Sequence, residues 1–220
     1  MSLPIARKVR VKICGITNRH DAERAIALGA DALGFNLFSG SKRFIDLEEN
    51  ASWIRALPPF VTRVAVLVNL PLSEARELAS HPALDLLQFH GDEDFAYCAE
   101  FARLGRPFIK AIRLGSADAI ATAADFSTPN LLVDALVPGA FGGTGHRIDL
   151  SLARELAMRH PQLALILAGG LTSANVAEAV SRVDPYAVDV ASGVESDPRH
   201  KSLEKMRAFL EAARGAGQAA

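Results

Sequence analysis

Asn130–Arg147 reads NLLVDALVPGAFGGTGHR: a short apolar run, Leu131 to Val133, closed by the carboxylate Asp134 and followed by four glycines within seven residues, Gly139, Gly142, Gly143 and Gly145. A strand, an acid and a loop of this kind before the next helix form a recognisable unit. Glycine lacks Cβ, so its backbone turns sharply and can aim several N–H groups at one anion. Gly142, Gly143, Thr144 and Gly145 are therefore expected to form part of a phosphate grip beside a titratable group. The rest of the chain is then expected to supply a scaffold and a second catalytic residue.

Outward from this stretch, apolar strands and amphipathic helices alternate. Toward the N-terminus, strands are expected at VRVKIC (9–14), ADALGFNLF (30–38), VTRVAVLVN (61–69), LDLLQFH (84–90) and RPFIKAIR (106–113). The intervening helices are expected at 21–29, capped by Thr17 or Asn18, at 46–57, from Pro71 to His81-Pro82, at 93–104 and at 116–125. Toward the C-terminus come a helix over 149–160, the strand LALILA (163–168), a helix over 172–182 opened by a Thr-Ser cap, the strand YAVDVAS (186–192) and a last helix over 200–213. The tail GAGQAA is expected to fray. Eight strand-helix pairs, with strands dense in Val, Leu, Ile and Ala, point to an α/β chain with a parallel sheet covered on both faces. In one domain of 220 residues that is a (β/α)₈ TIM barrel, spanning 1–220 with its core at about 9–213. A doubly wound open sheet is the alternative, but it calls for a glycine fingerprint after an early strand, and VKICGITN holds a single glycine.

Composition narrows the partners. With 24 basic and 25 acidic residues the net charge is −1, so no general field favours nucleic acid or an anionic membrane. No apolar run approaches the roughly 18 residues that span a bilayer, and the N-terminus MSLPIARKVRVK has no apolar h-region of a secretory signal. Two cysteines, Cys14 and Cys98, make neither a disulfide framework nor a zinc pattern, which is expected of a cytoplasmic protein. Small-molecule partners are favoured, and composition leaves both monomer and homodimer open.

In a barrel of this type the active site lies at the C-terminal ends of the strands. Those ends are polar here: Cys14; Asn36 and then Lys42 and Arg43; Asn69; Gln88 and His90; Arg113; Asp134. Strands seven and eight end in Gly169-Gly170 and Ser192-Gly193, so three small-residue turns are neighbours on one side of the ring, where such barrels commonly bind phosphate. Each residue also has a plainer role open to it. Cys14 can be a small buried hydrophobe, as Cys98 within its helix is expected to be. Asp134 can cap or pair with a lysine, and His90 can be an ordinary loop histidine. No HxH or HxxxH-type set accompanies His90, so no metal is expected. Lys12 shares the inward parity of Cys14 and is expected to pair inside the barrel with Asp31 or Asp189.

Taken together, KICGIT (12–17), VAVLVN (64–69), LQFHGDE (87–93), LLVDA with GGTG (131–145), LAGGLT (167–172) and VDVASGVES (188–196) closely resemble the phosphoribosylanthranilate isomerase family of tryptophan biosynthesis. The resemblance runs from about Val9 to Leu210. It implies a (β/α)₈ barrel, no cofactor, and an Amadori rearrangement of an aminoaldose to an aminoketose. It also implies a catalytic cysteine at Cys14, a catalytic aspartate at Asp134 and an anthranilate-binding arginine at Arg43. Gln88, His90 and Asp189 are expected to contact the substrate, and Gly169, Gly170, Ser192 and Gly193 to share its phosphate with the GGTG loop. SGSKRF departs from the family's usual S-P-R-Y, which leaves Lys42 beside Arg43 as a second cation for the carboxylate, and His146-Arg147 follow GGTG in place of a lysine-containing continuation.

The chemistry suits these residue types. A carboxylic acid such as Asp134 can protonate the furanose oxygen, and a base such as Cys14 can then remove the C2 proton of the resulting Schiff base. A free thiol titrates near about 8.5, so Cys14 is expected to be lowered by nearby cations such as Lys12 against the cost of burial. Two rivals share the scaffold. Indole-glycerol-phosphate synthase would carry a catalytic lysine set and a longer N-terminus; the histidine-pathway isomerase has an aspartate where this chain has Cys14. A non-catalytic phosphosugar-binding protein would keep the glycine turns without needing Cys14 or Asp134.

Overall fold

The computed structural model describes residues 8–135 and 147–216. Eight strands form its centre: β1 (Arg10–Cys14), β2 (Ala32–Asn36), β3 (Thr62–Leu67), β4 (Leu86–Phe89), β5 (Phe108–Leu114), β6 (Asn130–Ala135), β7 (Ala164–Leu167) and β8 (Ala187–Val190). They hydrogen-bond in chain order, every pair is parallel, and β1 pairs with β8 as well as β2, so the sheet closes into a barrel without an edge. The crossovers carry α1 (Arg19–Ala27), α2 (Leu47–Arg55), α3 (Leu72–Ala79), α4 (Phe95–Ala102), α5 (Ala117–Ala121), α6 (Leu150–Arg159) and α7 (Val176–Val183), and α8 (Leu203–Ala216) ends the described chain. Among the described residues no helix is long and apolar enough to cross a membrane.

Side chains alternate across each strand, so the two faces fill differently. Val11, Ile13, Leu33, Leu131, Val133, Val188 and Val190 point outward and pack with Ala22, Ala25, Leu156, Val183 and Phe209 of the helices. Between β4, β5 and α4 the outer layer is aromatic: Phe89, Phe101 and Phe108 meet with ring centroids 4.9 to 5.4 Å apart. Burying one such ring contributes about 1.5–3 kcal/mol. Inside the barrel Val64, Ile109, Ala111, Leu132, Ile166, Ala168 and Ala187 form a separate apolar cluster.

Capping sets the helix starts. Asn18, rather than Thr17, accepts the Asp21 amide at the start of α1, and Asp46, Asp94, Ser116 and Asp149 do the same for α2, α4, α5 and α6. Four helix expectations need correction. Glu93 lies before α4, because its carboxylate is taken by the amides of Asn69 and Gly91 and by Lys110 Nζ, at 2.8, 2.9 and 2.7 Å. The 116–125 segment splits into α5 and a 3₁₀ turn, Ala123–Phe126, ended by Ser127 in a left-handed conformation. The helix expected from Thr172 begins at Val176, since Asn175 bonds back to the Thr172 amide and the Gly170 carbonyl, making a turn. The last helix begins at Leu203 and continues to Ala216; His200-Lys201 instead forms β10, antiparallel to β9 (Glu195–Asp197).

One charged pair sits among the inward-facing residues. Lys12 and Asp189 are register partners on β1 and β8, and Lys12 Nζ donates to Asp189 Oδ1 at 2.8 Å with both side chains buried. Asp31, the other candidate, accepts the Val11 amide and faces Arg214 instead. Removing one partner of a buried pair leaves the other charge uncompensated. Lys12→Met is therefore expected to cost about 3–5 kcal/mol in denaturant unfolding, and Lys12→Met/Asp189→Leu to recover most of that loss. Additive losses would show that the two charges do not stabilise one another.

Candidate active site

The C-terminal ends of the strands surround a cavity of about 750 Å³, counting its open mouth. Cys14, Arg43, His90, Asp134 and Asp189 all reach it, and Gly169, Gly170, Ser192 and Gly193 form one side. Gln88 does not. It is wholly buried below the cavity, where its Nε2 is 2.7 Å from His90 Nδ1 and its Oε1 has no protein partner among the described residues. Of the two loop cations, Arg43 lines the cavity, whereas Lys42 is exposed and does not. Gly142, Gly143, Thr144 and Gly145 lie outside the described residues.

Asp134 is 8% exposed, enough to meet a ligand yet shielded from bulk water. Its Oδ1 accepts the Ala135 amide at 2.8 Å and its Oδ2 is 3.5 Å from His90 Nε2. A Cβ at Gly169 would lie 3.0 Å from that Oδ1, so the turn after β7 gives the carboxylate its room. Gly169 and Gly170 have φ of +90° and +62°, which glycine adopts freely. Gly193 packs its Cα face on the Leu171 carbonyl, with no space for a side chain. The turns after β7 and β8 are thus in backbone contact.

Cys14 ends β1 across the ring from Asp134. Burial pushes its thiol above its ordinary pKa, although Lys12 and Lys201 pull the other way. The expected lowering by Lys12 is therefore corrected: desolvation outweighs the attraction of a cation whose charge is already shared with Asp189. Burial would lower Lys12 itself, but Asp189 and Cys14 hold it at about 12, so it stays charged. Cys98 is buried inside α4's apolar contacts, the structural role expected of it. Among the described residues no group of three or more His, Cys, Asp and Glu side chains converges as metal ligands would.

Three contributors were not singled out from the sequence. Gly34 on β2 faces Cys14: a Cβ there would lie 2.7 Å from Sγ and 3.1 Å from Lys12 Nζ. Glu195 and Lys201 stand behind Arg43, with Arg43 Nε and Nη2 donating to the two Glu195 oxygens at 2.7 and 2.8 Å and Lys201 Nζ donating to Oε1 at 2.7 Å. Burial would raise the Glu195 carboxyl, but these bonds hold it below its ordinary value. Glu195 sits within VDVASGVES, and only its polarity after an apolar strand could have marked it.

A family model described as N-(5'-phosphoribosyl)anthranilate isomerase matches residues 11–212. The chain belongs to the phosphoribosylanthranilate isomerase family. It is thus an isomerase, on the barrel that the family uses. A phosphoribosylanthranilate isomerase of Pseudomonas fluorescens is 48% identical over 208 residues, covering 94% of this chain and 98% of that protein. Crystallised phosphoribosylanthranilate isomerase of Thermotoga maritima superposes with a TM-score of 0.84 at 37% identity, over 94% of this chain and 99% of that one. Another solved family structure, 34% identical with a TM-score of 0.80 and the same coverage, is a complex with reduced 1-(o-carboxyphenylamino)-1-deoxyribulose 5-phosphate.

The space left by Gly34 tests whether turnover depends on the position of the Cys14 thiol. Gly34→Ala adds a methyl against Cys14 Sγ with no unfavourable φ, so it is expected to fold and, by moving a side chain that lines the cavity by about 1 Å, to lower turnover by about 10- to 100-fold. Thermal unfolding and steady-state kinetics on the same sample check this. Full activity would mean that the thiol position is not critical.

Proposed function

We propose that this chain converts N-(5-phospho-β-D-ribosyl)anthranilate to 1-(2-carboxyphenylamino)-1-deoxy-D-ribulose 5-phosphate in tryptophan biosynthesis, with Asp134 as general acid and Cys14 as general base. Membership of the family supports the reaction. The observation that carries the assignment of roles is that Cys14 on β1 and Asp134 on β6, three strands apart around the ring, line one cavity together with Arg43.

The Asp134 carboxyl gives its proton to the ribose ring oxygen; the bond from that oxygen to C1 breaks, and the anilino nitrogen forms a Schiff base with C1. The Cys14 thiolate then takes the C2 proton, and the electron pair left on C2 moves to make C1=C2 while the iminium becomes an amine. The enol at C2 loses its O–H proton and C1 gains one, giving the ketone. A proton passed from the thiol back to the carboxylate restores both groups. Lys12, next to Cys14, stabilises the thiolate when it forms. The substrate phosphate rests on the amides of Gly169, Gly170, Ser192 and Gly193 with Gly142, Gly143, Thr144 and Gly145, and Arg43 takes the anthranilate carboxylate, for which a guanidinium offers a two-pronged fork. His90 and Asp189, at the cavity wall, contact the sugar, and Gln88 acts through His90. Residues 1–220 form one domain, and free Cys14 and Cys98 suit the cytoplasm. No nucleic acid or membrane is involved.

Isosteric changes test the two proton transfers. Cys14→Ser and Asp134→Asn are each expected to lower kcat by at least about 10²- to 10⁴-fold with fold and affinity near normal. In D₂O, exchange at C2 or a trapped Schiff base is expected only when Asp134 is retained. Wild-type turnover by Cys14→Ser would remove the thiol from the mechanism.

The thiol also predicts a pH dependence. Its pKa is raised in the free enzyme, so the reactive thiolate is scarce at neutral pH and increases as pH rises. Direct titration of the Cys14 thiol in a Cys98→Ala background, followed by its alkylation rate, is expected to give a midpoint above the ordinary thiol value. A thiol already fully ionised at neutral pH would contradict the dominance of burial.

A further inference from the structure

Arg43 is held at both ends of its side chain. Its stem lies against Gly15, where an added Cβ would collide with Arg43 Cδ, and Gly15 has φ of +75°. Its head meets Glu195 side-on, through Nε and Nη2. Glu195 in turn is pinned by Lys201, whose Nζ also donates to the Ala191 carbonyl at 3.2 Å and whose amide donates to Asp21 Oδ2 at 2.8 Å. The Glu195 carbonyl takes Lys205 Nζ at 2.7 Å. Glu195 and Lys201 are 7% and 4% exposed, so the support is rigid and nearly dry.

A guanidinium has five N–H groups and two edges that can each grip a carboxylate. Glu195 occupies the edge made by Nε and Nη2. Nη1 has no protein acceptor among the described residues, so the end formed by Nη1 and the second Nη2 hydrogen stays open, on a residue that lines the cavity. Charge gives the same answer. Three cations, Arg43, Lys201 and Lys205, against two carboxylates, Glu195 and Asp21, leave one positive charge in the cluster, suited to a single further carboxylate.

We propose that Glu195, braced by Lys201, is a positioning residue that locks the side-on edge of Arg43 and turns its end-on edge toward the substrate carboxylate. This rests on the proposed pairing of Arg43 with that carboxylate. Glu195 touches no reacting atom. Its contribution is to keep a long, flexible cation in one orientation, so the ordering cost of binding is met before the ligand arrives.

The test compares two ligands on wild type and Glu195→Gln: reduced 1-(2-carboxyphenylamino)-1-deoxyribulose 5-phosphate, and the phenylamino analogue without the carboxyl. Gln keeps the volume but places an N–H against the cations. The variant is expected to bind the carboxylated ligand about 10- to 100-fold more weakly, the loss of a charged hydrogen bond, and the other ligand within about twofold. KM is expected to rise more than kcat falls. Equal loss for both ligands would reduce Glu195 to a structural staple of the β9–β10 hairpin, and no loss for either would also overturn the proposal. Lys201→Met, which retains Glu195 but unpins it, is expected to show a smaller loss of the same selectivity and serves if Glu195→Gln does not fold. If wild type itself fails to prefer the carboxylated ligand, the Arg43 pairing falls and this proposal with it. If wild type discriminates and both variants do so fully, only the positioning role falls.

Discussion

Closure of eight parallel strands is the constraint on which the rest of this molecule depends. Once β1 pairs with β8, no barrel strand has a free edge, and every second side chain on it must face the barrel axis. The lower interior fills with Val64, Ile109, Leu132 and Ile166, as dry as any core. Toward the C-terminal ends the same inward parity delivers Lys12 and Cys14 from β1, Gly34 from β2, Asp134 from β6 and Asp189 from β8. The polar side chains of the cavity are therefore placed by the pleat itself, on the closed sheet. The outer aromatic and aliphatic layer supplies stability without competing for those positions.

Closure also sets the electrostatics. A lysine facing the interior must find an anion, and the strand beside it provides Asp189 at the matching register. That pair shields Cys14 from the full attraction of the Lys12 charge, and burial then dominates the thiol. The thiol is kept mostly protonated, yet the ammonium beside it lowers the cost of forming the thiolate. Asp134 lies between a backbone amide and an imidazole, with the space for its oxygen provided by Gly169. Small residues thus do two jobs here, turning the backbone after β7 and leaving volume for the Cys14 thiol on β1 and the Asp134 carboxylate on β6.

Much was legible along the chain because it depends on neighbours in sequence. Runs dense in Val, Leu, Ile and Ala marked all eight strands, and the helices expected from 46, 116 and 149 do start at the local caps Asp46, Ser116 and Asp149. Errors fell where a side chain bonded out of register with the local pattern: Asn175 folding back on Gly170, Glu93 drawn away to Lys110, and His200-Lys201 taken into a hairpin. Composition in those segments was compatible with helix. Competing hydrogen bonds decided otherwise.

By itself the sequence determined the βα alternation, hence the barrel, and the identity of the polar residues that close each strand, since both follow from residue type and local spacing. Only the tertiary structure decided who meets whom. Lys12 chose Asp189, 177 positions away, over Asp31, which the Val11 amide had already engaged. Arg43 met Glu195 across 152 positions, through a hairpin that no periodicity announced. The sign of the Cys14 shift likewise awaited the burial that closure imposes. Periodicity records which face a residue takes, but distance between faces exists only once β8 has returned to β1.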